Sequence, residues 1–279
     1  MWSTSLFNYQ EIDLITTTYK KKSLGQHFLN DFMIAERIVS SVEIDSKSSI
    51  IEIGPGDGSI TKWIYDSKPN RGILIEIDTR LIQDLKINYP EFQIINEDVC
   101  EIHLSKLLKD PKEKFIVLGN LPYNVSTRIL EHLIDHRDSI ERMVLMFQKE
   151  VGDRICSKLR TKDYGRLTLL AQEFFNTETL FVIRPSSFTP RPKIDSVVIL
   201  FSKREQPLIN LEDRRTYDNI VKLVFSNRRK MIRRSLKAMY DDEKLKEVFL
   251  RTGIEPSKRP EELTIQEFAD LSNVIHSLK

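Results

Sequence analysis

The pattern of apolar positions predicts an α/β fold built on a parallel sheet. From residue 48 onward, short runs rich in Ile, Val and Phe alternate with helix-length amphipathic segments, and this alternation is typical of βαβ units. The runs are continuously apolar, which indicates strands buried on both faces under flanking helices, as in a doubly wound sheet. We predict these strands at 49–53, 72–77, 92–95, 115–118 and 143–147.

A different connection follows these strands. Two further apolar runs, at 179–183 and 196–201, are joined by a Pro-rich loop instead of a helix. Because parallel neighbours need a long crossover connection, which is usually a helix, we expect this pair to be antiparallel. The pair should lie at one edge of the sheet.

The C-terminal part is predicted to be helical. Beyond residue 202 no strand-like run occurs. Helical periodicity covers the remaining segments, 211–240, 241–251 and 260–278. A charged stretch that ends in Pro207 marks the predicted boundary. We therefore expect an N-terminal tail, a Rossmann-like domain and a small all-helical domain, at 1–18, 19–202 and 203–279.

Composition describes an ordinary globular protein and gives little indication of a partner. The 279 residues are 40% hydrophobic and 30% charged, and 43 Lys and Arg against 41 Asp and Glu give a net charge of +2. That balance by itself does not indicate a polyanionic partner. Cys100 and Cys156 belong to no CxxC pattern, which excludes a zinc ribbon and a disulfide framework and favours a reducing compartment.

No segment of the sequence predicts a membrane span or a signal peptide. The longest stretch without Asp, Glu, Lys or Arg, at 115–127, contains Pro122 and is shorter than the ~20 apolar residues that a span needs. The first 19 residues lack a basic start and carry Glu11 and Asp13. We expect a cytoplasmic protein.

A glycine-rich loop follows the first predicted strand. It runs from Glu52 to Gly58 with the sequence EIGPGDG. Gly54 and Gly56 let the backbone turn sharply and let a ligand approach the main chain. The dinucleotide fingerprint GxGxxG fails because its third glycine position is Ser59. The pattern ExGxGxG is that of the first loop of S-adenosylmethionine-dependent methyltransferases; the alternative is a tight turn without a ligand.

Two acidic residues follow the next strands at positions suited to a nucleoside. Glu76 ends the second predicted strand and lies 20 residues after Gly56, where a carboxylate can accept hydrogen bonds from both ribose hydroxyls. Asp78 is a competing acid in the same turn. Asp98, after the third strand, can accept from an adenine amino group, although a turn or helix-capping Asp is the alternative.

The sequence Asn120-Leu121-Pro122-Tyr123 follows the fourth strand, at the edge where open parallel sheets bind ligands. The side-chain carbonyl of Asn120 and the main-chain carbonyl of Leu121 can accept the hydrogens of an exocyclic adenine nitrogen and aim its lone pair at a methyl donor. Pro122 fixes the turn, and Tyr123 offers an aromatic face for a flipped base. The alternative is a Pro-containing turn at a strand end.

With these motifs the chain resembles the ribosomal RNA adenine N6-dimethyltransferases, and closely the KsgA type, which modifies small-subunit RNA. Further similar segments lie at 24–31, 148–151, 164–167, 188–196 and 225–230. The resemblance covers nearly all of the chain from Tyr19. It implies a Rossmann-like S-adenosylmethionine-dependent methyltransferase domain. The implied reaction dimethylates N6 of two neighbouring adenosines in a hairpin loop near the 3′ end of small-subunit RNA.

The resemblance also implies site residues and a partner. The implied cofactor contacts are His27, Leu29, Gly54, Glu76, Asp98 and Asn120. His27 departs from many family members, which have Asn there. Phe188 would sandwich the target adenine against Tyr123, whereas on the residues alone a Phe between prolines is more often a loop anchor packed on the core. The implied partner is small-subunit ribosomal RNA in a partly assembled subunit, and we expect a monomer.

A basic cluster lies in the predicted helical domain. Between residues 226 and 237 there are six cations and no acid, namely Arg228, Arg229, Lys230, Arg233, Arg234 and Lys237. On one long helix, Arg229, Arg233 and Lys237 would form a stripe. Six cations repel one another, so we favour contact with an RNA backbone over a solvated face. The segment 20–22, three lysines, is a weaker candidate of the same kind.

Metal chemistry is not expected, and two other functions stay open. His132 and His136 lack the HExxH zinc pattern. One alternative is an antibiotic-resistance methylase of large-subunit RNA, although the segment 188–196 matches the small-subunit type better. The other is a non-catalytic ribosome-assembly factor of the same fold, against which the intact motifs at 52–58 and 120–123 argue.

Overall fold

A computed structural model describes residues 27–278. The predicted N-terminal tail and the lysines at 20–22 lie outside the described residues. Within residues 27–278, no helix has the length and apolar character needed to cross a membrane.

Residues 27–278 contain nine strands. In chain order they are β1 (Phe28–Leu29), β2 (Ser49–Ile53), β3 (Arg71–Ile75), β4 (Gln93–Ile95), β5 (Phe115–Asn120), β6 (Ile140–Gln148), β7 (Phe175–Ile183), β8 (Phe188–Thr189) and β9 (Ser196–Lys203). Seven of them form one sheet in the order β4-β3-β2-β5-β6-β9-β7. All seven strands predicted from apolar runs are therefore present.

The pairing is mixed. Strands β4, β3, β2, β5 and β6 pair in parallel, whereas β9 is antiparallel to both β6 and β7. The predicted antiparallel pair at a sheet edge is confirmed, with β7 as the outermost strand. Strands β1 and β8 were not predicted; they form a separate two-stranded sheet with Leu29 opposite Phe188.

Helices cover both faces of the sheet. The first six are α1 (Phe32–Ser40), α2 (Thr61–Asp66), α3 (Ile82–Asn88), α4 (Ser126–Asp135), α5 (Lys149–Ile155) and α6 (Arg166–Phe174). Successive side chains of a strand point to opposite faces. Accordingly, Ile50 and Ile116 pack in one apolar core, and Ile51 and Val117 pack in another. Burial on both faces is the reason that the strands are continuously apolar.

The strand register brings three loops to one edge of the sheet. Ile53 at the end of β2 lies opposite Ile75 in β3 and Gly119 in β5. The residues that follow these positions therefore emerge side by side at the carboxyl edge. They are Gly54, Glu76 and Asn120.

The chain after β9 is helical. Its helices are α7 (Arg214–Ser226), α8 (Ile232–Leu236), α9 (Asp242–Thr252) and α10 (Ile265–Ser277). They enclose an apolar core of their own, which includes Val224, Leu245 and Phe268. Tyr164 and Leu169 from the preceding part of the chain also pack in this core. The division into two domains near residue 203 stays a prediction.

The expectation of one long helix across the basic cluster is wrong. Helix α7 ends at Ser226, and α8 begins only at Ile232. Met231 has an extended backbone, with φ of −59° and ψ of 146°. The Ile232 N–H donates to the Lys258 carbonyl at 2.8 Å instead of to the preceding turn. Tertiary hydrogen bonding therefore interrupts a segment whose apolar spacing is helical.

Candidate active site

A single cavity at the carboxyl edge of the sheet collects the predicted cofactor residues. Its lining includes the six implied cofactor contacts and the second loop glycine: His27, Leu29, Gly54, Glu76, Asp98, Asn120 and Gly56. Leu121, Pro122 and Tyr123 line the same cavity. The loops after β2, β3, β4 and β5 thus meet at one place, as expected for ligand sites of open parallel sheets.

The glycine loop turns in a conformation that only glycine adopts easily. Gly54 and Gly56 have φ of +65° and +60°, in the left-handed region. A Cβ on Gly56 would lie 3.1 Å from two carbons of the Phe28 ring. Phe28 also lines the cavity. The Phe28 ring therefore occupies the space that a side chain at Gly56 would need, and the glycine main chain itself lines the cavity.

Glu76 is held rigidly at the next position. It is 2% exposed. Its Oε2 accepts from the Gly56 N–H at 3.1 Å, and its Oε1 accepts from the Asp78 N–H at 2.8 Å. Burial raises the pKa of this carboxyl, while the bonds from these N–H groups oppose the rise. Asp78, the competing acid, is paired with Arg80 and does not line the cavity.

Glu52 also lines the cavity, and the sequence analysis did not select it as a site residue. It is 1% exposed, and its Oε2 has no hydrogen-bond partner among the described residues. Burial raises the pKa of Glu52 to about 8. At neutral pH the side chain is therefore mostly protonated and carries little charge. The sequence could have indicated Glu52 as a site residue, because it is the first residue of the ExGxGxG pattern.

Asp98 fits both interpretations that the sequence left open. Its Oδ1 accepts from the Cys100 N–H at 2.9 Å and so caps a short 3-10 turn. Its Oδ2 lies 3.7 Å from Nη2 of Arg128, which also lines the cavity. The cap fixes the carboxylate at the cavity wall, so capping and ligand contact are compatible.

The amide of Asn120 is oriented by the segment before β1. Its Nδ2 donates to the His27 carbonyl at 2.8 Å. This bond leaves Oδ1 as the amide atom that can accept a hydrogen bond, and no residue in 27–278 donates to it. Leu121, the next residue, is buried, which holds the turn in place. The Asn120 amide oxygen is thus available at the end of β5, next to Leu121 in the cavity lining.

His27 and Tyr123 form a stacked pair beside Asn120. Their ring centroids are 5.2 Å apart with an interplanar angle of 29°. A hydrogen bond joins Tyr123 Oη to Ser196 Oγ at 2.5 Å, and His27 Nδ1 donates to the Pro190 carbonyl at 2.6 Å. His27 therefore fixes the neighbouring amide and packs on the aromatic face, two functions that the resemblance did not specify.

Phe188 is not brought to the cavity. It is 1% exposed, and its ring packs in the same core as Leu29, its partner across the β1 and β8 pair. It is absent from the cavity lining. Phe188 therefore packs on the core as a loop anchor, the alternative that the residues alone favoured. The pairing of β1 with β8 directs its ring into the core. The contact of Phe188 with the target adenine, opposite Tyr123, stays a prediction.

The exposed apolar side chain of Ile77 at the cavity was not predicted either. Ile77, directly after Glu76, lines the cavity and is 52% exposed. An exposed isoleucine beside a carboxylate suits a ligand with a flat apolar face next to hydroxyl groups. The glycine main chain, the Glu76 carboxylate and the Ile77 side chain together fit a nucleoside cofactor. Within residues 27–278, no group of three His, Cys, Asp or Glu is suited to a metal ion.

The basic cluster lies away from the cavity and is partly neutralised. Arg233 and Lys237 both pair with Asp242, at 3.0 and 2.9 Å. Arg229 precedes α8, so the predicted stripe with Arg233 and Lys237 does not exist. Arg228 lies 3.9 Å from a Glu261 carboxylate oxygen. The compensating acids, Asp242 and Glu261, lie later in the chain. A count of charges within 226–237 therefore does not include them.

Three cations of the cluster remain without such a partner. Arg229, Lys230 and Arg234 are exposed, and none forms an ion pair with another described residue. Their role in RNA contact stays a prediction, now restricted to fewer side chains.

Comparison with known proteins identifies the family of the chain. The family model described as Ribosomal RNA adenine dimethylase matches residues 17–277. The ribosomal RNA small subunit methyltransferase A of Flavobacterium johnsoniae is 38% identical over 259 residues, which cover 92% of this chain and 96% of the relative. The protein of the same name from Geobacter metallireducens is 39% identical over 265 residues, which cover 92% and 96%.

A solved structure agrees with the fold. The dimethyladenosine transferase from Plasmodium falciparum superposes with a TM-score of 0.72 at 24% identity, over 88% of this chain and 96% of that chain. The predicted fold class, a Rossmann-like domain with C-terminal helices, is confirmed. Since the family model spans nearly the whole chain and the relatives match along nearly their full length, the chain belongs to the ribosomal RNA adenine dimethylase family.

Proposed function

We propose that the protein transfers methyl groups from S-adenosylmethionine to N6 of two adjacent adenosines in a 3′-terminal hairpin loop of small-subunit (16S) ribosomal RNA, giving N6,N6-dimethyladenosines. It acts as a monomer in the cytoplasm, on the RNA of the pre-small subunit. The observation that carries the proposal is the Asn120 amide, whose Nδ2 is held by the His27 carbonyl while Oδ1 stays available at the cavity. The names of the relatives support the small subunit as substrate.

The proposed mechanism addresses the weak nucleophilicity of adenine N6. The N6 lone pair is delocalised into the ring, so it attacks a methyl group poorly. In the first transfer, Oδ1 of Asn120 and the carbonyl oxygen of Leu121 accept the two N6 hydrogens and draw the nitrogen toward tetrahedral geometry; in the second transfer, the one remaining N6 hydrogen is donated to one of these acceptors. The lone pair then points away from the ring. Because both acceptors are fixed before the base arrives, they need little reorganisation during the reaction.

Tyr123 positions the flipped base. Its hydroxyl is tied to Ser196, and one face of its ring packs on His27. A base stacked on the ring would therefore meet a fixed plane. Stacking of a base on an aromatic side chain contributes about 1–3 kcal/mol. In the described arrangement Phe188 lies in the core, so this stacking rests on Tyr123 alone.

The cofactor residues have separate tasks in this proposal. When bound, S-adenosylmethionine supplies an electrophilic methyl group. The Glu76 carboxylate accepts from the ribose hydroxyls, and the main chain at Gly54 and Gly56 allows close approach. Asp98 would accept from the amino group of the cofactor's adenine, and Ile77 would pack on the ring of that adenine. After each transfer N6 is positively charged and loses its proton to water, so no strong base is required.

The experiment that tests the proposal is transfer of a radiolabelled methyl group to unmethylated small subunits, with large subunits and naked small-subunit RNA as controls. We expect two adjacent dimethylated adenosines in small-subunit RNA. Label in large-subunit RNA alone would support the antibiotic-resistance methylase instead. Tight binding to small subunits with no label in any RNA would support a non-catalytic assembly factor.

A further inference from the structure

The loop between α5 and α6 carries three cations against one acid, Asp163. Lys158, Arg160 and Lys162 are all exposed, and none forms an ion pair with another described residue. The preceding helix behaves differently. There, Lys149 pairs with Asp153 at 2.6 Å, and Arg154 pairs with Glu150. The unpaired charge is therefore a property of the loop and not of this whole surface.

The loop is held in a fixed shape. Arg160 has φ of +66°, in the left-handed region that a non-glycine residue rarely adopts. Its N–H donates to the Glu261 carbonyl at 2.8 Å. The hydroxyls of Ser157 and Thr161 bond to each other at 2.6 Å. Strained backbone persists where the surroundings fix it and is found preferentially at functional sites.

The C-terminal helical part provides this fixation. Besides the Glu261 carbonyl, the buried Tyr164 hydroxyl donates to the Leu263 carbonyl at 2.9 Å. Arg228 donates through Nη2 to the Thr161 carbonyl at 3.0 Å. The loop is therefore in direct contact with the first residue of the basic cluster.

We propose that residues 158–162 form a second contact with the RNA backbone and, together with Arg229, Lys230 and Arg234, make one continuous phosphate-binding surface across the two parts of the chain. This inference rests on the proposed RNA substrate. The six cations are exposed and form no ion pair with a described residue, and the bond from Arg228 to the Thr161 carbonyl joins the two segments that carry them. Such a set of cations matches the repeating charge of a polyanion. Protein interfaces favour an apolar and aromatic centre, whereas Leu159 is the one large apolar side chain among residues 158–162.

The test is the salt dependence of binding to unmethylated small subunits. The loop variant is Lys158→Gln, Arg160→Asn and Lys162→Gln; Asn is chosen because it tolerates the left-handed conformation. The matched control is Lys47→Gln, Lys86→Gln and Lys112→Gln, which removes the same charge from exposed positions far from the loop in sequence. Wild type, loop variant and control are compared between 0.05 and 0.3 M salt, values on the order of those at which phosphate contacts are resolved.

We expect the loop variant to bind at least ~10-fold more weakly at about 0.1 M salt, with a log–log slope smaller by about 2 to 3. The control should bind like wild type. Equal affinity and slope in the two variants would overturn the proposal. The Kd for S-adenosylmethionine should be the same for all three proteins. If the loop variant binds the cofactor more weakly, the double variant Lys158→Gln with Lys162→Gln replaces it. This double variant removes two cations and keeps the native Arg160.

Photocross-linking identifies the class of macromolecule. With p-benzoylphenylalanine in place of Leu159, cross-links to ribosomal RNA support the proposal, and cross-links to a ribosomal protein alone contradict it. The test is separate from that of the proposed function, because it measures binding. A wild-type protein that binds small subunits without methylating them would refute the methyl transfer and still report on the loop.

Discussion

Replacing Gly56 with alanine separates backbone strain from contact at the cavity. Gly56 has φ of +60°, and an added Cβ would lie 3.1 Å from two carbons of the Phe28 ring. Gly253, at the end of α9, has φ of +67° with nothing within 4 Å of an added Cβ. An L residue in this conformation costs about 1–2 kcal/mol. Both substitutions should therefore reduce the free energy of unfolding by that amount and lower Tm by about 2–8 °C.

Only Gly56→Ala should also weaken cofactor binding. Phe28 must shift to admit the new methyl group, and it lies between His27 and Leu29, two predicted cofactor contacts. The Gly56 N–H also donates to Glu76. We expect the Kd for S-adenosylmethionine, measured by isothermal titration calorimetry, to rise ~10-fold or more, which corresponds to about 1.4 kcal/mol. For Gly253→Ala it should not change.

Two results would refute this reasoning. If Gly56→Ala loses stability but binds the cofactor like wild type, the glycine loop does not approach the cofactor. If Gly253→Ala weakens binding equally, the effect comes from general destabilisation and not from contact with Phe28.

Three further predictions concern charge and stacking. Burial raises the pKa of Glu52 from its ordinary value of 4.5 to about 8. Between these two pH values the folded protein keeps a proton that the unfolded chain has lost. This residue therefore makes the free energy of unfolding fall as pH rises from about 4.5 to about 8. Denaturant titrations should show Glu52→Gln without that loss and more stable than wild type at pH 8. Tyr123→Ala should lower kcat/KM ~10- to 100-fold in methyl-transfer assays, and Tyr123→Phe, which keeps the stacking ring but loses the bond to Ser196, should lower it less. Arg234→Gln should reduce the log–log salt slope of RNA binding by about 1 and Arg233→Gln by less, because Asp242 already neutralises Arg233.

The sheet and the cavity could be predicted because their signals are local. Each buried strand is a continuous apolar run, and the residues after β2, β3 and β5 follow those runs directly. Parallel pairing then places Gly54, Glu76 and Asn120 at one edge. Knowing the strands was therefore enough to predict that the motifs meet.

What the sequence did not predict depends on contacts between distant segments. The pairing of Leu29 with Phe188 involves only two residues in each strand, too few for a periodic signal. That pairing buries Phe188, so its predicted place at the cavity is not observed. The break before α8 depends on Lys258, and the neutralisation of Arg233 depends on Asp242. None of these partners can be found from the local pattern.

The central claim is that Asn120 carries methyl transfer to small-subunit adenosines. The most direct measurement is single-turnover methyl transfer by Asn120→Ala on unmethylated small subunits, with subunit binding measured in parallel. We expect the rate to fall by about 100-fold or more, as for the loss of a preorganised transition-state contact, while the Kd for the subunit stays at the wild-type value. A wild-type rate in this variant would contradict the account.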